Sequence, residues 1–350
     1  DDVAAITYDT EHFSSVGVIV SNMSPLVPAP VGVAPPITSD PPFHGPARRL
    51  LLPAFAPKPI SALEPFARDE CIRLLAALEG ADTADAARDY AQHIPTVVIA
   101  RMLGLPPDDA DLFRAVVHDL LEAVDVAPEV RQATTSRWWA YLDERIEEHR
   151  SHPQDDLISF LLDVELEGEK LSHEHVRGTI HLLLIAGIDT TWSAIGASLW
   201  HLATHADDRR RLVEDPSLIP TACEEFLRAY APVTMARKVA EDVEVGGCSM
   251  KAGEWVLLPF PVANRDPEKF PEADTVVIDR LENRHAAFGL GIHRCLGSNL
   301  ARMELRVALE EWLTRIPSFE LIDGATVTWS AGQVRGPRSV PVRILPSTAA

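Results

Sequence analysis

The stretch FGLGIHRCLG, residues 288–297, sets one cysteine and one histidine, Cys295 and His293, among three glycines. Glycine serves where backbone must bend sharply or come close to another group. The backbone here therefore folds around the sulfur of Cys295. A helical pattern starts directly after Gly297, so unpaired N–H groups and the positive end of a helix dipole face that sulfur and favour its thiolate. A thiolate serves as a nucleophile or as a metal ligand. No Cys–His–Asn arrangement presents itself elsewhere to support the first use. The second is axial ligation of haem iron, where amides directed at the sulfur tune its electron donation.

Three other constellations carry chemistry. AGIDTT (186–191) puts an acid, Asp189, beside an alcohol, Thr190, with Gly187 close by. In EEFLR, Glu225 and Arg228 stand three apart on one helix face and can pair. HLATH (201–205) spaces His201 and His205 as a zinc peptidase does. Leu202 stands where the general-base Glu belongs, so a zinc hydrolase is not supported.

The elements that must position these groups are mainly helical. A short helix is expected to about Phe13, and residues 21–42, with seven prolines in twenty-two, read as either a binding loop or a disordered linker. Helical spacing of apolar residues then recurs to about 230. The longest helix is expected from an N-cap at Ser172 to about His205. Some 33 residues at 1.5 Å each span roughly 50 Å, and its apolar surface on most faces requires burial. Gly187, Asp189, Thr190 and Thr191 are poor helix formers in succession, so its hydrogen-bond ladder is expected to open there. After Pro232 short strands take over, with one more helix between Leu296 and Pro317. The expected fold is mainly α with small β-sheets. It is a single domain over 1–350, helix-rich from about 44 to 230 and a mixture of sheet and cysteine loop from about 231 to 350.

A net charge of −20 argues against a nucleic-acid partner, because phosphate contacts demand a basic surface. The four cysteines, at 71, 223, 248 and 295, show no CxxC spacing. Zinc ribbons and iron–sulfur clusters are therefore not expected, and a reducing, cytoplasmic compartment is. IHLLLIAGI reaches about half of the roughly 20 residues of a membrane span, so no membrane segment is expected.

FGLGIHRCLG resembles the haem-binding loop of the cytochrome P450 superfamily, Phe-Gly-x-Gly-x-His-x-Cys-x-Gly, at every specified position. AGIDTT is similar to that family's oxygen-activation stretch and EEFLR to its Glu-x-x-Arg pair, in the family's order. The resemblance covers the chain from Asp1 to about Leu345 and implies a soluble bacterial-type member. It implies haem b with Cys295 as axial ligand to the iron. Phe288, Gly289 and Gly297 would shape the loop, and His44, Arg48, Arg237 and His293 would meet the propionates. Ala186 and Gly187 would lie over the haem, Gly187 leaving room for oxygen, while Asp189 and Thr190 deliver protons. The implied reaction inserts one atom of O2 into a small, mainly apolar substrate by hydroxylation or O-dealkylation. Two electrons come from NAD(P)H through a ferredoxin or flavin reductase partner, or through a fused C-terminal reductase as in self-sufficient members. Arg294 and Arg302 are expected to form a basic patch for that partner. Bacterial-type members usually carry roughly fifty residues before the equivalent of DDVAAI, so an N-terminal part, with some of the small sheet, is expected to be missing.

Two rival functions share these motifs. A peroxide-driven haem peroxygenase would lack the acid–alcohol pair, and a non-catalytic haem sensor would not need it. The substrate pocket is expected at the loop 21–42, at Leu182 to Ala186, and at Val233 and Met235. The type and spacing of these residues do not identify the substrate.

Overall fold

The computed structural model describes residues 1–20, 29–122, 127–330 and 332–346. Residues 21–28 of the proline-rich stretch lie outside the described residues. The expected fold class holds: helices dominate, and the strands form small antiparallel sheets.

One helix, His173–Thr204, organises the rest and is called the central helix below. It starts as the sequence predicts, with the Ser172 hydroxyl accepting the His175 N–H at 3.1 Å. Against it pack His93–Leu103, Pro128–Ser151, Ile219–Ala229 and Ser298–Arg315. By length and composition this helix could cross a membrane, which corrects the expectation that no segment is long enough. However, 72% of its apolar window is buried inside the protein, so it acts as a core helix.

The expected opening at 186–191 does not occur, and the helix is continuous there. The Thr190 hydroxyl donates back to the Ala186 carbonyl at 2.7 Å, an arrangement that leaves the helix intact. The first helix also differs from expectation, ending at Tyr8 instead of about Phe13. Asp9 Oδ1 accepts the N–H groups of Glu11 and His12, at 3.2 and 3.0 Å, and turns the chain. Phe13 and Ser14 then join a sheet opposite Val239 and Lys238, with Trp255–Pro259 on its other side.

A continuous apolar core runs from Leu51 to Val342 and includes most of the central helix. A smaller cluster of Ile6, Phe13, Val239, Leu258, Phe260 and Ala286 supports the sheet next to the cysteine loop. Gly291 belongs to that junction: its φ is +65°, and a Cβ there would lie 2.7 Å from the Thr7 carbonyl oxygen.

Candidate active site

The cysteine loop is held by its own backbone. Gly289, at φ +68°, turns the chain, and the Cys295 N–H returns to donate to the Phe288 carbonyl at 2.7 Å. Residues Gly291–His293 make a single helical turn, and the helix Ser298–Arg315 starts directly after Gly297. The Phe288 ring lies under the Arg302 guanidinium, 4.4 Å from its centroid.

Cys295 is accessible to solvent, yet enough protein surrounds it that burial raises its thiol pKa. The two facts agree if the sulfur faces an internal hollow. The Gly297 N–H and the charges of Arg48, Arg294 and Arg302 act in the opposite sense. The donors expected from the sequence are thus present, but burial outweighs them. A bound cation is needed to hold this sulfur as thiolate.

Four cationic or donor side chains converge beside the loop. The His44 and His293 rings are 4.2 Å apart, and neither Nε2 has a hydrogen-bond partner among the described residues. Arg237 is only 4% exposed, and its Nη1 bonds no farther than the neighbouring Ala236 carbonyl, at 2.8 Å. Arg48 Nη2 reaches the Arg294 carbonyl. Burial, then the fields of His44, Arg237 and Arg48, push the His293 pKa down to about 2. Burial and the Arg48 and Arg237 charges also lower that of His44, against Asp40. Two arginine cations and two partnerless imidazole nitrogens gathered in one place form a site short of negative charge. A pair of carboxylates beside a metal centre would supply it.

On the central helix, every residue between Thr179 and Leu199 is buried except His181, Leu182, Ile185, Ala186, Gly187 and Thr190. Leu182, Ile185, Ala186 and Thr190 fall three or four residues apart on one stripe, so the buried helix keeps an open face there. Ala186 is exposed and Thr190 stands one turn beyond it on that face. Gly187 lies at the edge of the stripe. A Cβ there would sit 3.3 Å from Ile99 Cγ1, so this glycine lets the helix His93–Leu103 pack close.

Asp189 is fully buried on the other flank. Its Oδ1 accepts from Arg338 Nη2 at 2.5 Å and lies 3.5 Å from Ser193 Oγ, to which Arg338 Nη1 also donates. The Arg338 guanidinium rests 4.3 Å over the Trp192 ring. Nothing in the sequence pattern marked Arg338, although the Gly-Pro before it is a signal of close approach. A Cβ at Gly336 would meet Ser193 Cβ at 2.2 Å.

Glu225 and Arg228 form a two-pronged ion pair, each bond 2.8 Å, with both side chains fully buried. Arg228 also donates to the carbonyls of Asn264, Ala273 and Thr275, while Glu225 accepts from Arg280, Asn283 and the Val277 N–H. This pair therefore ties down the segment 264–283. Arg280 and Asn283 carry no sequence signal.

Leu182 lies on the open stripe, and Val233 and Met235 are half-buried at the start of the strand Thr234–Val239. Val233 bridges to Val334, and Gln333 Nε2 donates to the Met235 sulfur at 3.0 Å. The described part of the proline-rich loop packs on the central helix: Thr179 Oγ1 donates to the Pro35 carbonyl at 3.4 Å. The expected basic patch is weaker than read, because Arg302 is committed to Glu224 at 2.6 and 2.9 Å.

Known proteins match both the sequence and the overall fold. The family model described as Cytochrome P450 matches residues 129–319. A vitamin D(3) 25-hydroxylase of Pseudonocardia autotrophica is 40% identical over 89% of this chain and 78% of its own. A mycinamicin IV hydroxylase/epoxidase of Micromonospora griseorubida is 36% identical over 87% and 79%. Among solved structures, the testosterone complex of CYP109E1 from Bacillus megaterium superposes with a TM-score of 0.90 at 32% identity, covering 98% of this chain and 90% of that one. Relatives thus agree with it in sequence and in overall shape alike, and the chain belongs to the cytochrome P450 family.

Proposed function

We propose that Cys295 would ligate the iron and that His44, Arg48, Arg237 and His293 would hold the propionates, with Ala186, Gly187 and Thr190 of the central helix bordering the group. Phe288, Gly289 and Gly297 shape the sulfur's surroundings in this reading, and residues 1–350 act as one domain. The partnerless Nε2 atoms of His44 and His293 beside an accessible sulfur carry it. Haem b is the cofactor of this family, and the donor set fits it. The chain is a monooxygenase that places one atom of O2 into an organic substrate, with electrons from NAD(P)H through a redox partner. When bound, the haem supplies the iron that activates dioxygen.

The chain's own residues do the rest. Thr190 Oγ1 offers a proton on the open stripe, from a hydroxyl now resting on the Ala186 carbonyl. Asp189, held by Arg338 behind the helix, is the acid that replenishes it. Leu182, Ala186, Val233, Met235 and the loop around Pro35 present a mainly apolar wall, so the substrate is a mainly apolar molecule. The relatives named for vitamin D(3), mycinamicin IV and testosterone support that class. A separate ferredoxin or flavin protein and a fused reductase both supply the electrons this scheme needs. The net charge of −20 supports a partner other than nucleic acid, and the burial of the central helix supports a core role for it instead of a membrane span. A cytoplasmic location is proposed from the absence of paired cysteine spacings.

The deciding experiment is the absorption spectrum of the dithionite-reduced, carbon-monoxide-treated protein. A strongly red-shifted Soret band is expected, and Cys295→Ser should abolish the shift. A wild-type band in the position of histidine-ligated haem would refute the assignment. Thr190→Ala is expected to lower product formed per NAD(P)H consumed roughly tenfold or more, with hydrogen peroxide making up the difference. An unchanged product-to-NAD(P)H ratio would remove Thr190 from proton delivery.

A further inference from the structure

Three separate elements meet on one carboxylate beside the cysteine loop. Glu224 stands on the helix Ile219–Ala229, next to Glu225 of the buried pair. Arg302, on the helix Ser298–Arg315, grips it twice, Nε donating to Oε1 at 2.6 Å and Nη2 to Oε2 at 2.9 Å. His285, in the irregular segment that leads into the loop, completes the set, with Nε2 3.1 Å from Oε2. The Ala287 N–H meets the other ring nitrogen, Nδ1, at 3.2 Å. A backbone N–H can only donate, so Nδ1 is the acceptor, the ring is neutral and its proton sits on Nε2, towards Glu224. Burial pushes the Glu224 pKa up, but the bonds from His285 and Arg302 outweigh it and hold the value at about 2. The carboxylate is therefore a fixed negative charge across the neutral range.

This clamp reaches the sulfur by two routes. The first is contact. The guanidinium that Glu224 holds lies 4.4 Å from the Phe288 ring centroid, and the His285 ring lies 6.0 Å from the same ring. The Phe288 carbonyl in turn accepts the Cys295 N–H at 2.7 Å, so the clamped ring belongs to the residue that ties down the cysteine. The second route is the field. The charges of Arg48, Arg294 and Arg302 all act on the sulfur, and among the described residues only Arg302 of these three is bonded to a carboxylate. Both side chains of that pair are about one third exposed, so solvent weakens its field without abolishing it.

We propose that Glu224 is a positioning residue that sets the reduction potential of the haem held by Cys295, by fixing Arg302 over Phe288 and offsetting its positive charge. Reduction adds an electron to the haem and its sulfur ligand. An uncompensated cation nearby favours the reduced form, and an uncompensated anion the oxidised one. With both partners present the two effects largely cancel. Arg302 is thus spent on the cysteine loop and not on a docking patch. This inference rests on the reading of Cys295 as the iron's ligand.

The test is a spectroelectrochemical titration of the haem-loaded protein, without turnover. Glu224→Gln keeps the shape of the side chain and leaves Arg302 unopposed. The ferrous-to-ferric ratio at a fixed applied potential should then rise about threefold, the share of one partly exposed charge. Arg302→Gln leaves Glu224 unopposed, and the ratio should fall by a similar factor. The double variant should return close to wild type, and Arg302→Lys, which keeps the charge, should stay nearer to wild type than Arg302→Gln. Damage to the loop would move both single variants in the same direction, so opposite signs separate the field from the fold. Should Arg302→Gln load haem poorly, the rise in Glu224→Gln and its shrinkage with added salt decide the matter alone. Single variants that leave the ratio unchanged, or that shift it in a common direction, overturn the proposal. A wild type without the thiolate band under carbon monoxide fails the parent reading instead, so the two failures are distinct.

Discussion

Replacing Arg228 with methionine should remove most of the stability of the molecule. Both partners of the Glu225–Arg228 pair are fully buried, and Arg228 uses its guanidinium on Glu225 and on the carbonyls of Asn264, Ala273 and Thr275. Removing one side of a buried pair costs about 3–5 kcal/mol, and each carbonyl left without a donor adds roughly 1–3. A total native stability of roughly 5–15 kcal/mol leaves little after such a loss. Arg280 remains beside Glu225 at 3.0 Å, which limits the charge problem but does nothing for the carbonyls. Lysine should not rescue, because a single ammonium cannot span a carboxylate and three carbonyls in fixed directions. Denaturant titration of the soluble fraction, with haem content measured alongside, checks the expectation. A variant within about 1 kcal/mol of wild type would mean that the segment 264–283 holds itself in place.

The contrast between Arg228 and Arg280 explains what could be read from sequence. Glu225 and Arg228 are three apart on one helix, so their pairing is a local property of helical geometry. Arg280 and Asn283 reach the same carboxylate from an irregular segment more than fifty residues away, and no local pattern records where such a segment ends up. The cysteine loop was legible for the first reason. Gly289 and Gly291 adopt positive φ because the chain must turn there, and a residue-type pattern of ten positions captures that need. The start of the central helix at Ser172 was legible as a cap.

The ladder expected to open at 186–191 shows the opposite failure. Propensity counts Gly, Asp and Thr against a helix, but here the tertiary partners decide. Asp189 is taken by Arg338, Thr190 bonds within its own turn, and Gly187 accommodates Ile99. Residues that break a helix in isolation become, when packed, the reason it can run past the site unbroken.

A second large effect concerns Glu304, which lies on the helix that follows Cys295. It is 1% exposed, its Oε1 has no hydrogen-bond partner among the described residues, and burial alone raises its pKa to about 8. An unfolded chain loses this proton near its ordinary value of 4.5, whereas the folded one keeps it until about pH 8. Between those values the native state binds more protons than the unfolded state, so this group makes stability fall as pH rises, by about 1.4 kcal/mol per unit. Below pH 4.5 both states are protonated and the penalty vanishes; above about 8 it is complete. Glu304→Gln keeps the shape of the side chain and removes the titration. The stability of the variant minus that of wild type should therefore climb steadily across this window, reaching about 4 kcal/mol near pH 7.5. The difference isolates Glu304 from the buried histidines, whose lowered pKa values act in both proteins alike. Urea unfolding at half-unit pH steps measures it. A flat difference from pH 5 to 8 would mean that Glu304 is ionised in the folded protein, with its charge compensated by a group that the described residues do not include.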